Sequence, residues 1–285
     1  MADFSQLGVV GAGFMGSGIA ESAARAGLAV ALFEPEAAPL ERSRAAIERS
    51  VGRALEGGKL SEQDAGDLLG RISWVTDLDA LAGSDAVVEA VTEDLGVKQD
   101  AFRRLDELLA PHALLASNTS SIPIAQLAVA TQRPDRVLGL HFFSPVPVMR
   151  LVEVVVGLET SQDTVDRAGE LAARLGKTAI RTKDRSGFIV NYLLVPYLMA
   201  AVRMYEDGFA TREDIDQGMV LGCGHPMGPL TLCDFIGLDV LQAISESLFD
   251  EFRAPEYAPP PLVKRMVAAG RLGRKTGRGF YEYPR

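Results

Sequence analysis

The chain is poor in cysteine, histidine and tryptophan, with 2, 3 and 1 among its 285 residues. Cys223 and Cys233 lie close together in a Gly/Pro-rich stretch and make no disulfide framework, which favours a reducing compartment. With His225 they offer only three weakly spaced ligands, so no metal is expected. Basic residues are also in deficit, 29 Lys and Arg against 38 Asp and Glu, for a formal net charge of -9. Nucleic-acid recognition rests on a basic face and counterion release, so no nucleic-acid partner is expected and any anionic ligand must be met by local groups. Long, clean apolar runs are missing as well. Phe188 to Met204 comes nearest, but Asn191, Pro196 and Arg203 interrupt it, and no membrane span is expected. The opening MADFSQLGVVGAG enters a strand-like run at Leu7, too early for a signal or transit segment. The expected setting is the cytoplasm.

What is present is a core. Hydrophobic residues make up 47% of the chain, and at roughly 150 residues per domain the length predicts two domains. Short apolar runs at 7–10, 29–33, 72–75, 86–91, 114–117 and 137–143 alternate with helical patterns at 15–26, 36–56, 95–109 and 124–130. Continuous apolar strands separated by helices predict a mainly parallel, doubly wound α/β sheet of the Rossmann type. Residues 151–156, a helix over 162–175 and 178–181 extend it. From Phe188 onward only helical periodicity remains. The predicted organisation is a Rossmann-type domain over 1–185 and an all-α domain over 186–285.

Gly11-Ala12-Gly13-Phe14-Met15-Gly16 follows the first predicted strand and opens the first predicted helix. Those are the places where a G-x-G-x-x-G turn needs its glycines: for the tight turn, for approach of a pyrophosphate to the backbone, and for close helix-to-strand packing. Glu34 ends the second strand, about 20 residues on, where an acid accepts ribose 2'-hydroxyls. Pro35 and Glu36 supply no arginine for a 2'-phosphate, so NAD is favoured over NADP. A glycine turn that binds FAD, or nothing, is the other reading.

Of the three histidines, His112 follows Pro111 at a helix end and reads as surface, whereas His141 stands at the carboxyl end of the sixth strand, where open α/β sheets collect ligands. Ser144-Pro145-Val146-Pro147 then turns the chain toward a strand containing Glu153. If the two strands form a hairpin about position 147, facing residues sum to 294 and His141 faces Glu153. A carboxylate beside an imidazole fixes its tautomer and stabilises the imidazolium, preparing a general base. A purely structural His-Glu pair is the alternative.

The segments GVVGAGFMGSGIA, VVEAVTEDLGVKQDAF, ASNTSSIPI, GLHFFSPVPVMRLVEVV, DRSGFIVNYLL and KTGRGFYEY together resemble the 3-hydroxyacyl-CoA dehydrogenase family, from Leu7 to the C-terminus. The length is similar to that of its stand-alone short-chain members. The resemblance implies an NAD-dependent oxidoreductase acting on an acyl-CoA, in fatty-acid or butanoate metabolism, and a homodimer formed through the C-terminal helical domain. It implies His141 as base and Glu153 as its orienting carboxylate, Ser120 and Asn191 as substrate contacts that complete the catalytic set, and Glu93, Lys98, Ser120 and Lys275 as cofactor contacts. Ser144 replaces the asparagine that many members carry after His-Phe-Phe, and reaches less far. Ser50 aligns with a CoA contact. A second, usually lysine, falls at Gly57 with Lys59 close by, while Arg42, Arg44, Arg49 and Arg53 line the same helix.

Two other readings are a related dehydrogenase of a free hydroxy or sugar acid, as in the gulonate dehydrogenase and lambda-crystallin branch, and a non-catalytic NAD-binding structural protein. Dehydrogenases with a catalytic lysine fit less well, because no lysine occupies the His141 or Asn191 regions. In the helical domain, Leu193, Leu194, Val195, Tyr197 and Leu198 are read either as a dimer face or as core.

Overall fold

A computed structural model describes residues 4–284, and the chain divides into two compact units, one ending at Arg185 and the other starting at Ser186. Among its described residues the first contains eight strands, β1 (Gln6–Val10), β2 (Ala29–Phe33), β3 (Ile72–Val75), β4 (Ala86–Glu89), β5 (Leu114–Ser117), β6 (Val137–Phe142), β7 (Leu151–Val156) and β8 (Thr178–Lys183). Its helices are α1 (Phe14–Arg25), α2 (Ala37–Glu56), α3 (Glu62–Gly70), α4 (Leu95–Leu108), α5 (Ile124–Ala128) and α6 (Gln162–Arg174).

The strands form one sheet in the order β3-β2-β1-β4-β5-β6-β7-β8. All neighbours are parallel except β6 and β7, which form the antiparallel hairpin. Every residue of β4, β5 and β6 is buried, as expected of strands covered on both faces. Strand β8, at the edge, carries polar and charged residues and is partly exposed, which blunts pairing with another chain. The rule that facing residues sum to 294 holds along the hairpin, with His141 opposite Glu153 and Gly139 opposite Val155.

Register places Phe33, Val10, Glu89, Ser117, Gly139 and Val155 in one row across the sheet. The loops after β1, β4 and β5, and His141 near the end of β6, therefore emerge along a single edge. Strand order reverses between β1 and β4, and that reversal is where doubly wound sheets open a ligand crevice.

Element ends shift by a residue or two from the sequence expectation, and two differences have a clear physical reason. Strand β4 stops at Glu89 rather than reaching Val91, because the Glu89 carboxylate takes the Val91 amide, donor to acceptor 2.7 Å, and turns the chain. Helix α3 was not foreseen. It buries only Ala65 and Leu68, too little apolar periodicity to announce itself, and a Ser61/Asp64 capping box compensates by satisfying amides at its start.

The second unit is helical: α7 (Val190–Glu206), α8 (Arg212–Cys223), α9 (Pro229–Ile236), α10 (Leu238–Phe252) and α11 (Pro261–Ala268). Val195 and Leu198 are fully buried in its core with Met199, Val202, Leu230, Leu241 and Leu248. They therefore belong to the core and not to a dimer face, whereas Leu193 is exposed. Its last segment is stapled by two buried acids. Asp234 accepts the Phe280 and Tyr281 amides and the Tyr283 hydroxyl, and Asp216 accepts the Leu230 and Thr231 amides and the Tyr281 hydroxyl. A Cβ at Gly279 would lie 1.9 Å from Asp234 Oδ1, so only glycine admits the acid there. Among the described residues no helix is long and apolar enough to cross a membrane.

Candidate active site

The Gly11–Gly16 turn leads from β1 into α1. Gly11 has φ +101°, and a Cβ on it would press on the Ala90 carbonyl at 2.7 Å. A Cβ on Gly16 would meet the Gly11 carbonyl oxygen at 1.9 Å, so the helix start can pack on the strand end only without a side chain. Above Gly13 there is open space, and Gly13 caps α1 with no side-chain hydrogen bond. This is a cradle in which a pyrophosphate approaches backbone amides at a helix N-terminus. Phe14 is exposed and Met15 half-buried beside it.

Glu34 follows β2, and its Oε2 accepts the Ala12 amide at 3.1 Å. The acid is thereby fixed beside the cradle. A carboxylate offers about four acceptor sites, so capacity remains for ribose hydroxyls.

After β4, Glu93 accepts the Thr119 hydroxyl at 2.5 Å, the Ser120 and Ser121 amides at 3.0 and 3.2 Å, and the Ser121 hydroxyl at 2.9 Å. Partial burial opposes its ionisation, but the Lys98 charge and these donors outweigh that and hold its carboxyl below the usual range. Lys98 is no solvated charge: it is 1% exposed, and its Nζ bridges Glu89 at 2.7 Å and Glu93 at 3.2 Å. Ser120 follows β5 in the same loop and is half-buried. Asn118 Oδ1 accepts the Phe142 amide at 2.9 Å, tying this loop to the residue after His141.

His141 Nδ1 lies 2.7 Å from Glu153 Oε2, the imidazole nearly buried and the carboxylate wholly so. A carboxylate can only accept, so the proton of the neutral ring sits on Nδ1 and Nε2 keeps its lone pair. Phe143 meets the ring edge-on, centroids 4.7 Å apart.

The remaining candidates are more scattered. Ser144 is exposed two residues after the end of β6. Ser50, on α2, donates to Glu21 Oε1 at 3.1 Å; burial raises the Glu21 pKa, and the Ser50 and Arg25 contacts only temper the rise. Lys59 is exposed beyond α2, and Arg42, Arg49 and Arg53 are exposed along it. Arg44 pairs with Glu48 and stacks on Trp74. In the second unit Asn191 is buried in the first turn of α7, and Lys275 pairs with Asp239 at 2.6 Å. His225 lies 3.2 Å from the Tyr197 hydroxyl. Sequence reasoning missed Glu89. Its signal was a carboxylate at the end of an otherwise apolar strand.

A glycine cradle between β1 and α1, with an acid at the end of β2, defines a dinucleotide-binding protein of the doubly wound class. Residues 6–185 match the model of the 3-hydroxyacyl-CoA dehydrogenase NAD binding domain, and residues 187–283 that of the 3-hydroxyacyl-CoA dehydrogenase C-terminal domain. The chain is 54% identical to the 3-hydroxybutyryl-CoA dehydrogenase of Mycobacterium tuberculosis, over 99% of this chain and 100% of that one. It is 45% identical to the mitochondrial hydroxyacyl-coenzyme A dehydrogenase of Sus scrofa, over 96% and 90%. The solved (S)-3-hydroxybutyryl-CoA dehydrogenase of Ralstonia eutropha superposes with a TM-score of 0.93 at 44% identity, over 99% and 100%. The chain belongs to the 3-hydroxyacyl-CoA dehydrogenase family, and its first unit is the family's NAD-binding domain.

Proposed function

We propose that this chain is an NAD-dependent 3-hydroxybutyryl-CoA dehydrogenase, interconverting a short-chain 3-hydroxyacyl-CoA and its 3-ketoacyl-CoA, acetoacetyl-CoA in the shortest case. The observation that carries the chemistry is the buried His141–Glu153 pair at 2.7 Å; the names of the full-length relatives support the substrate. His141 Nε2 takes the C3 hydroxyl proton during oxidation and returns it during reduction. Glu153 holds the ring through Nδ1 and stabilises the imidazolium as it forms. Ser120 and Asn191 bind the C3 oxygen or the thioester carbonyl. Bound NAD supplies the hydride acceptor, and NADH the donor for the reverse direction. The cradle residues, with Glu34, Glu93, Lys98, Ser144 and Lys275, hold that cofactor, and Ser50 and Lys59 serve the CoA moiety.

The same reading includes a cytoplasmic homodimer in fatty-acid metabolism. The dimer forms through the helical unit, whose exposed Leu193, Phe209 and Leu221 support it. The test is acetoacetyl-CoA reduction by NADH in His141→Gln. A general base is typically worth ~10²- to 10⁴-fold, and a loss of that order is expected in a normally folded variant. Near-normal turnover sinks the base assignment. Activity on free 3-hydroxy acids with none on the CoA esters sinks the substrate.

A further inference from the structure

Glu89 is fully buried at the end of β4, in a row of the sheet whose other members are uncharged. Its Oε1 accepts the Val91 amide at 2.7 Å and Lys98 Nζ at 2.7 Å, and its Oε2 accepts the Ser117 hydroxyl at 2.6 Å. Each partner belongs to a different part of the cofactor edge. The Ala90–Val91 peptide is the surface on which Gly11 rests, where a Cβ would meet Ala90 O at 2.7 Å and Val91 N at 3.0 Å. Lys98 passes the restraint on to Glu93, which gathers Thr119, Ser120 and Ser121. Ser117 Oγ in turn accepts the Thr119 amide at 3.1 Å. The Glu89 backbone carbonyl takes the Asn118 amide at 2.8 Å, and Asn118 holds the amide beside His141.

We infer that Glu89 is the positioning residue of the cofactor site: one desolvated carboxylate that sets the first glycine of the cradle, the Lys98–Glu93 pair and the 117–121 loop in a common register. The inference rests on the NAD-binding assignment. A buried charge is retained at a cost unless it is fully paired, and here each of its three partners does positional work. With Lys98 between two carboxylates, loss of the Glu89 charge leaves the ammonium free to collapse onto Glu93, which then presents itself less well to a ribose. Because Glu89 acts through Lys98 and not on reacting atoms, its removal weakens cofactor binding more than turnover.

The experiment is direct NADH binding to the full-length protein, followed by NADH fluorescence, alongside steady-state kinetics and thermal melting. Glu89→Gln is expected to raise the NADH Kd and KM by roughly tenfold, a 1.4 kcal/mol change, with kcat at saturating NADH and KM for acyl-CoA within about threefold. A double-mutant cycle adds a second reading: Glu89→Gln/Lys98→Met binds NADH no worse than Lys98→Met alone, since one acts through the other. An unchanged NADH Kd in Glu89→Gln, or losses that simply add in the double variant, overturns the inference. If Glu89→Gln does not fold, Ser117→Ala replaces it; a few-fold rise in Kd is then expected, and an unchanged Kd is the overturning result. Wild-type protein that fails to bind NADH at all strikes the cofactor assignment instead, so the two failures are distinguishable.

Discussion

Individual residues in this protein earn their identities from what a side chain would collide with or leave uncompensated. Gly16 exists because a single methyl there would sit 1.9 Å from the Gly11 oxygen. Gly16→Ala is accordingly expected to push α1 off the end of β1 and abolish measurable NADH binding in a fluorescence titration. Gly13→Ala, with open space above the residue, is expected to keep the fold and fail only where a pyrophosphate must approach. Equal NADH affinity in Gly16→Ala and wild type refutes the packing role. Glu153 and Glu89 show the same logic for charge. Each ends or interrupts an apolar strand, each is wholly buried, and each has a specific partner in His141 or Lys98. The first was legible because a hairpin count across the Ser144–Pro147 turn supplied its partner, twelve positions away in the chain. The second was not, because Lys98 reaches it from a helix whose packing on the sheet no local pattern announces.

At the scale of elements, the last segment of the chain is held by acids from the helices it crosses. KTGRGFYEY looks like a functional signature, and within its own unit it is largely a structural one: Gly279 admits Asp234, whose oxygens then take two amides and the Tyr283 hydroxyl. Burial, with the charge of Asp234, pushes the Tyr283 phenol up to about 12 from 10.0. For an acid whose folded pKa is raised, the folded state favours the protonated form. The contribution is therefore complete below pH 10 and is lost as pH rises through 12. Thermal melting of wild type is expected to fall across that window more steeply than melting of Tyr283→Phe, which has no phenol to titrate. Parallel curves for the two proteins count against the staple. Tyr281, raised by burial and by Asp216, contributes to the residual slope in the variant together with Tyr197 and Cys233, which burial also raises.

For the whole molecule, the sheet brings together what the chain keeps apart. The cradle at 11–16, the Glu93 loop, the 117–121 loop and His141 span some 130 positions, yet emerge from neighbouring strands β1, β4, β5 and β6. The proposed homodimer is tested at this scale: light scattering is expected to give about twice the 30.5 kDa chain mass. A mass that stays at one chain across micromolar concentrations removes the dimer from the reading.

Apolar runs with the period of strands, separated by runs with the period of helices, determined the doubly wound class from the sequence alone, because burial on two faces leaves no freedom in which residues such strands carry. Sequence also determined the glycine cradle and the His141–Glu153 pairing, since tight turns and hairpins are local and their register follows from counting. Tertiary structure alone decided where a side chain finds its partner across the fold. Val195 and Leu198 became core, Lys98 became buried, and Glu89 acquired three partners, one from a loop, one from a helix and one from the end of β5. In each case burial and charge compensation depend on neighbours distant in the chain, and spacing along the sequence carries no record of them.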